Sequence, residues 1–92
     1  MNENSFSGMK NLGAALQKKL ETAGISSQAM LKEIGSWQAF MLVRGIDSSA
    51  CINTLYAIEG AIRGIRWHDL DPSAKLELLE LFRLLEKADH YE

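Results

Sequence analysis

Few residues of this chain have side chains suited to a reaction, and they lie far apart. Cys51 is the one thiol among 92 residues, and Ala50, Ile52 and Leu55 place it on an apolar helical stretch. An uncharged setting of that kind keeps a thiol buried and inert. His68 stands next to Asp69, a pairing that could serve as a general base, but no nucleophile is tied to it by spacing. His90 lies near the C-terminal end. Two histidines and one cysteine provide no metal-ligand spacing. There is no glycine-rich phosphate loop of the Walker or Rossmann kind. No catalytic residue, metal site, cofactor or small-molecule substrate is expected.

What remains is the chemistry of charge and backbone. The break Ala23-Gly24-Ile25-Ser26 has the form of the tight turn in helix-hairpin-helix modules. Such a turn can aim backbone N–H groups at a phosphate, helped by the positive end of the following helix. Lys18, Lys19 and Lys32 lie near it in sequence and could neutralise phosphates. A DNA-binding hairpin usually carries a second glycine, and this turn has one. The formal net charge is −2. Residues 1–66 carry seven cations against five anions, and residues 67–92 carry three against seven. Dedicated DNA binders show a stronger basic footprint. DNA-backbone contact through Gly24, Lys18, Lys19 and Lys32 is therefore the alternative reading, and contact with another protein is the favoured one.

The elements that would position these residues are all helical. Leu12, Leu16, Leu20 and Ala23 recur at helical spacing, so a first helix is expected from Gly13 to Ala23. Gly24 ends it, and Ser26 or Ser27 caps a short second helix, Ser27 to Ile34, with Met30, Leu31 and Ile34 inward. Gly35 then separates a third helix, Trp37 to Arg44, packing through Trp37, Phe40 and Met41 and ended by Gly45. Asp47 or Ser48 would cap the fourth, Ser49 to Arg63, which is apolar nearly all round and belongs in the middle of the domain. Glu59 and Arg63 form its exposed i,i+4 pair. Gly60 and Gly64 suggest that another helix crosses it closely. Asp71 and Pro72 start the fifth helix, Pro72 to Ala88. Its core stripe is Ala74, Leu78, Leu81, Phe82, Leu85 and Ala88. Leu76 and Leu79 fall on the opposite face, where they would contact another chain. The reading is one five-helix domain over residues 9–92, behind a flexible lead of residues 1–8.

The 47% hydrophobic content is that of a globular chain. No apolar run reaches the roughly 18 residues of a membrane span. The opening Met1-Asn2-Glu3-Asn4-Ser5 lacks the blocks of a signal peptide, and one cysteine excludes an intrachain disulfide framework. A cytoplasmic protein is expected. A small core leaves room for a homodimer to add stability.

The stretch Asn53-Thr54-Leu55-Tyr56-Ala57-Ile58-Glu59-Gly60-Ala61-Ile62-Arg63-Gly64-Ile65-Arg66-Trp67 resembles the C-terminal domain of the TfoX family. So do Asn11-Leu12-Gly13, Ala23-Gly24-Ile25 and Trp67-His68-Asp69-Leu70-Asp71-Pro72, in the same order. The resemblance runs from about Met9 to Leu85. It implies an all-helical fold, SAM-like or helix-hairpin-helix-like, and a part in regulating bacterial competence for DNA transformation. It supplies no catalytic residues. Longer members carry a separate N-terminal domain, so this chain is expected to be the C-terminal domain standing alone.

Overall fold

Three of the glycines named above, Gly24, Gly35 and Gly64, take the positive φ that only glycine enters cheaply, and the first two set the path of the chain. The computed structural model describes Phe6 and residues 8–90. Four α-helices and one 3₁₀ turn are present among them: α1 (Ala14–Thr22), α2 (Gln28–Ile46), α3 (Ile52–Arg63), the 3₁₀ turn Trp67–Asp69, and α4 (Pro72–His90). The fold is all-helical, as expected, but with four helices in place of five.

The difference arises at Gly35. Its φ of 85° and ψ of 165° redirect the chain within a single residue. The expected second and third helices are therefore two arms of one bent helix, with no loop between them. The bend is held from outside, because the buried Ser36 hydroxyl donates a hydrogen bond to Glu59 on α3. At Gly24 (φ 96°) the chain does leave the helix. There the Gly24 N–H donates to Glu21 O (3.0 Å) and the Ile25 N–H to Leu20 O (2.9 Å), the paired bonds of a Schellman end. Gly45 does neither: it is helical, and α2 runs on to Ile46.

Ser27 caps α2, its hydroxyl accepting from the Met30 N–H at 3.1 Å. Met30 and Met41, expected inward, are exposed, while Leu31, Ala39, Phe40 and Val43 are buried. After α2, the Asp47 carboxylate accepts from the Ser49 N–H (3.0 Å) and hydroxyl (2.5 Å). That bonding makes a turn of residues 47–50 and delays α3 to Ile52, with Cys51 in the capping position. Cys51 is thus at a helix end and exposed, not buried as expected.

α3 is the central element, touching α2, the 3₁₀ turn and α4. It buries Leu55, Ala57, Ile58, Gly60 and Ala61. No helix crosses at Gly60. A Cβ there would stand 2.6 Å from Asn11 Nδ2, 2.8 Å from Ile65 O and 3.1 Å from Trp67 Cα. Asn11, itself at φ 72°, clasps that segment: its Nδ2 donates to Ile65 O (2.9 Å) and its Oδ1 accepts from the Trp67 N–H (3.1 Å). The glycine leaves room for this clasp.

The expected flexible lead, residues 1–8, falls mostly outside the described residues. Within it Phe6 is a core residue, 1% exposed against the main hydrophobic cluster, so the apolar packing begins ahead of residue 9.

Candidate functional site

α4 begins where the sequence places it. Asp71 Oδ2 accepts from the Ser73 hydroxyl (2.6 Å) and the Ala74 N–H (3.3 Å), and Pro72 opens the helix. These bonds, with that to Ser73 foremost, hold the Asp71 carboxyl below its ordinary range. The inward face buries Ala74, Leu78 and Phe82. The Phe82 ring lies 5.9 Å from that of Phe40, and the Arg44 guanidinium sits 5.5 Å from its centroid. Nearer the start of α4, Lys75 Nζ lies 5.7 Å from the Trp67 ring centroid, and that ring stacks with Tyr56 at 5.8 Å and with His68 at 4.0 Å.

Three large apolar side chains of α4 are exposed. Leu76 is 53% exposed, Leu81 39% and Leu84 63%. Leu81 was expected in the core stripe; the inward arc is filled by Ala74, Leu78 and Phe82, with Leu85 half-buried, and Leu81 turns past its edge. Leu79, expected beside Leu76, is half-buried. Glu77, Glu80, Arg83 and Lys87 border the leucines. Leu81, Leu84 and these charged residues line two shallow grooves that exclude Leu76, one formed by Glu77, Glu80, Leu81 and Leu84, the other by Glu80, Arg83, Leu84 and Lys87.

The residues proposed for phosphate contact are dispersed. The Gly24 and Ile25 N–H groups are engaged by carbonyls of α1. Lys19 Nζ lies 2.6 Å from Asp47 Oδ2. That bond is the main cause of the fall in the Asp47 pKa to about 2, with Ser49 contributing. Lys18 is exposed on α1. Lys32 lines a polar cleft of ≈ 240 Å³ with Lys10, Gln28, Arg63 and Gly64, at the end of α3. The Gly24 turn does not line that cleft.

One polar chain contains the expected Glu59–Arg63 pair and extends it at both ends, to Ser36 and to Asp71. Ser36 bonds to Glu59, Glu59 Oε2 accepts from Arg63 Nε at 2.6 Å, and Arg63 reaches Asp71 Oδ1 at 3.4 Å. It ties the bend of α2 to α3 and to the start of α4. Its bond to Glu59, foremost, raises the Arg63 pKa. Glu59 is consequently less exposed than a surface i,i+4 pair; its side chain retains 17% exposure. The signal was Ser36 directly after a helix-bending glycine, which reads equally well as a cap.

Among the described residues no group of three or more His, Cys, Asp or Glu could hold a metal ion. No described helix is long and apolar enough to cross a membrane.

The overall arrangement of these helices recurs in known proteins. The family model of the TfoX C-terminal domain matches residues 2–82, and the chain belongs to that family. Among solved structures it is similar to an uncharacterized protein from Listeria monocytogenes in a triclinic crystal form. The two share 43% identity at a TM-score of 0.87, over 90% of this chain and 94% of that one. A tetragonal form of a Listeria monocytogenes protein of unknown function matches at 43% identity and a TM-score of 0.85, over 88% of this chain and 99% of that one. A comparison with curated proteins finds no match.

Proposed function

We propose that this chain is a non-enzymatic, cytoplasmic interaction module of the TfoX C-terminal type, acting in competence regulation through protein–protein contact on the outer face of α4. The observation that carries the reading is the exposure of Leu76, Leu81 and Leu84 along one 19-residue helix. Covering them gains about 25 cal/mol per Å² of apolar surface removed from water. The bordering charges keep the free chain in solution and give a partner its orientation.

The test places a photo-crosslinking residue at position 76 or 84 in the native cell, with position 18 on α1 as control. In parallel, purified protein is titrated with duplex DNA across a range of salt. Protein adducts from α4 positions alone, lost on Leu81→Glu, are the expected result. The opposite pattern overturns the reading: no adducts from α4, but DNA binding that falls steeply with salt and is abolished by Lys18→Glu with Lys32→Glu. Those two lysines are the suitable probes, because Lys19 holds Asp47.

A further inference from the structure

Glu77, Leu81, Leu84 and Ala88 recur along α4 at spacings of four, three and four. That is the a/d spacing of a helix that packs against another helix, with Leu81 and Leu84 as its large apolar members and Glu77 and Ala88 at its ends. All four are exposed. The groove lined by Glu77, Glu80, Leu81 and Leu84 has the i, i+3, i+4, i+7 outline of the hole that accepts a side-chain knob. Beside this groove an anion, Glu80, is followed two turns later by a cation, Lys87, with Leu81 and Leu84 between them in sequence.

We infer that the occupant of this face is a second copy of the chain, its α4 antiparallel to the first about a two-fold axis near Leu81 and Leu84. The inference rests on the reading of α4 as a protein-contact surface and names the partner. In this register Leu81 of each copy lies opposite Leu84 of the other, and each Leu84 enters the groove on its partner. Each Glu80 comes beside the partner's Lys87, twice by symmetry. A parallel pair would set Glu80 beside the partner's Leu85 and would form neither of these ion pairs. The contact is isologous, and so closes as a dimer. Leu85 at the edge of the stripe continues the apolar surface toward Met41 on α2, with which it shares a cleft.

Sedimentation equilibrium of the full chain under reducing conditions, which keep the exposed Cys51 from cross-linking copies, tests this. The wild type is expected to dimerise. Leu84→Glu is expected to weaken the dimer about 100-fold or more while circular dichroism shows an intact helical fold. Glu80→Lys and Lys87→Glu should each weaken it about fivefold, and the combined variant should restore it. Glu80 and Lys87 are two turns, roughly 10 Å, apart on one helix, so restoration reports contact between copies. A wild type that stays monomeric at about 1 mM overturns the inference. So does a dimer indifferent to Leu84→Glu, or a charge exchange that fails to restore association. If the chain is monomeric but α4 still gives crosslinks to other proteins in the cell, the second copy is refuted and the interaction reading stands. If α4 gives none, both fall.

Discussion

Gly60→Ala is the substitution on which helix propensity and tertiary geometry disagree most sharply. In a helix interior, alanine is better than glycine by about 1 kcal/mol. Propensity alone therefore predicts a more stable protein. The structure predicts the reverse. The new Cβ would sit 2.6 Å from Asn11 Nδ2 and 2.8 Å from Ile65 O, both far inside van der Waals contact. Ile65 O is backbone, held by the turn that leaves α3, and Asn11 is fixed by its two bonds to Ile65 and Trp67. Relieving the overlap costs about 1–3 kcal/mol as overpacking. Disrupting the Asn11 bonds costs about 1 kcal/mol each. Set against the propensity gain, the net is a destabilisation of about 2–4 kcal/mol. For a domain of this size that lowers Tm by roughly 10–30 °C. Thermal and urea unfolding followed by circular dichroism measures it. Asn11→Gly supplies the control, because it tolerates the positive φ and removes the nearest clashing atom. In that background Gly60→Ala should cost measurably less, a coupling visible in a double-mutant cycle. An unchanged or raised Tm for Gly60→Ala, or strict additivity with Asn11→Gly, would refute the reasoning.

Three further outcomes follow from the same structure. Gly24→Ala should destabilise by about 1–2 kcal/mol because of its positive φ, whereas Gly45→Ala, helical and with open space around a Cβ, should stabilise by about 0.5–1 kcal/mol; denaturant midpoints of the two variants should move in opposite directions. Ser27→Ala removes the acceptor for the Met30 N–H and should cost about 1 kcal/mol, while Ser27→Asp should cost much less, as read by Tm. The Asp47 carboxyl titrates at about 2 in the folded chain, below its ordinary value, so its contribution to stability is complete above about pH 4 and is lost as pH falls toward 2. Asp47→Asn should flatten stability across that window, and added salt should shrink the wild-type slope.

Much of this protein is legible in its residue order. The periodic leucines of α1 and α4, the Asp71-Pro72 start and the Gly24 end are local signals, decided within one or two turns of chain. The all-helical class follows from them, and the family could be named from four ordered stretches. Boundaries shifted where a side chain chose between near-equal local partners. Asp47 could have capped a helix at once; it bonded Ser49 and Lys19, and α3 began later, carrying Cys51 from the expected interior to an exposed end.

What tertiary structure alone decided is which of several locally identical signals had which meaning. Gly24, Gly35 and Gly45 look alike in sequence, each following an apolar helical stretch. They became a helix end, a bend and an ordinary helical residue. A glycine permits a break without requiring one. Ser36 found Glu59 across the fold and held the bend at Gly35, while nothing drew the chain aside at Gly45. The same holds on α4, where periodicity marked out leucines without saying how wide an arc the neighbours would cover. Phe40 and the rest of the core meet Ala74, Leu78 and Phe82 and stop there, leaving Leu81 and Leu84 outside. Residue order determined the helices and their amphipathic content. Packing, which depends on distances between segments far apart in sequence, determined which apolar residues were left over for a partner.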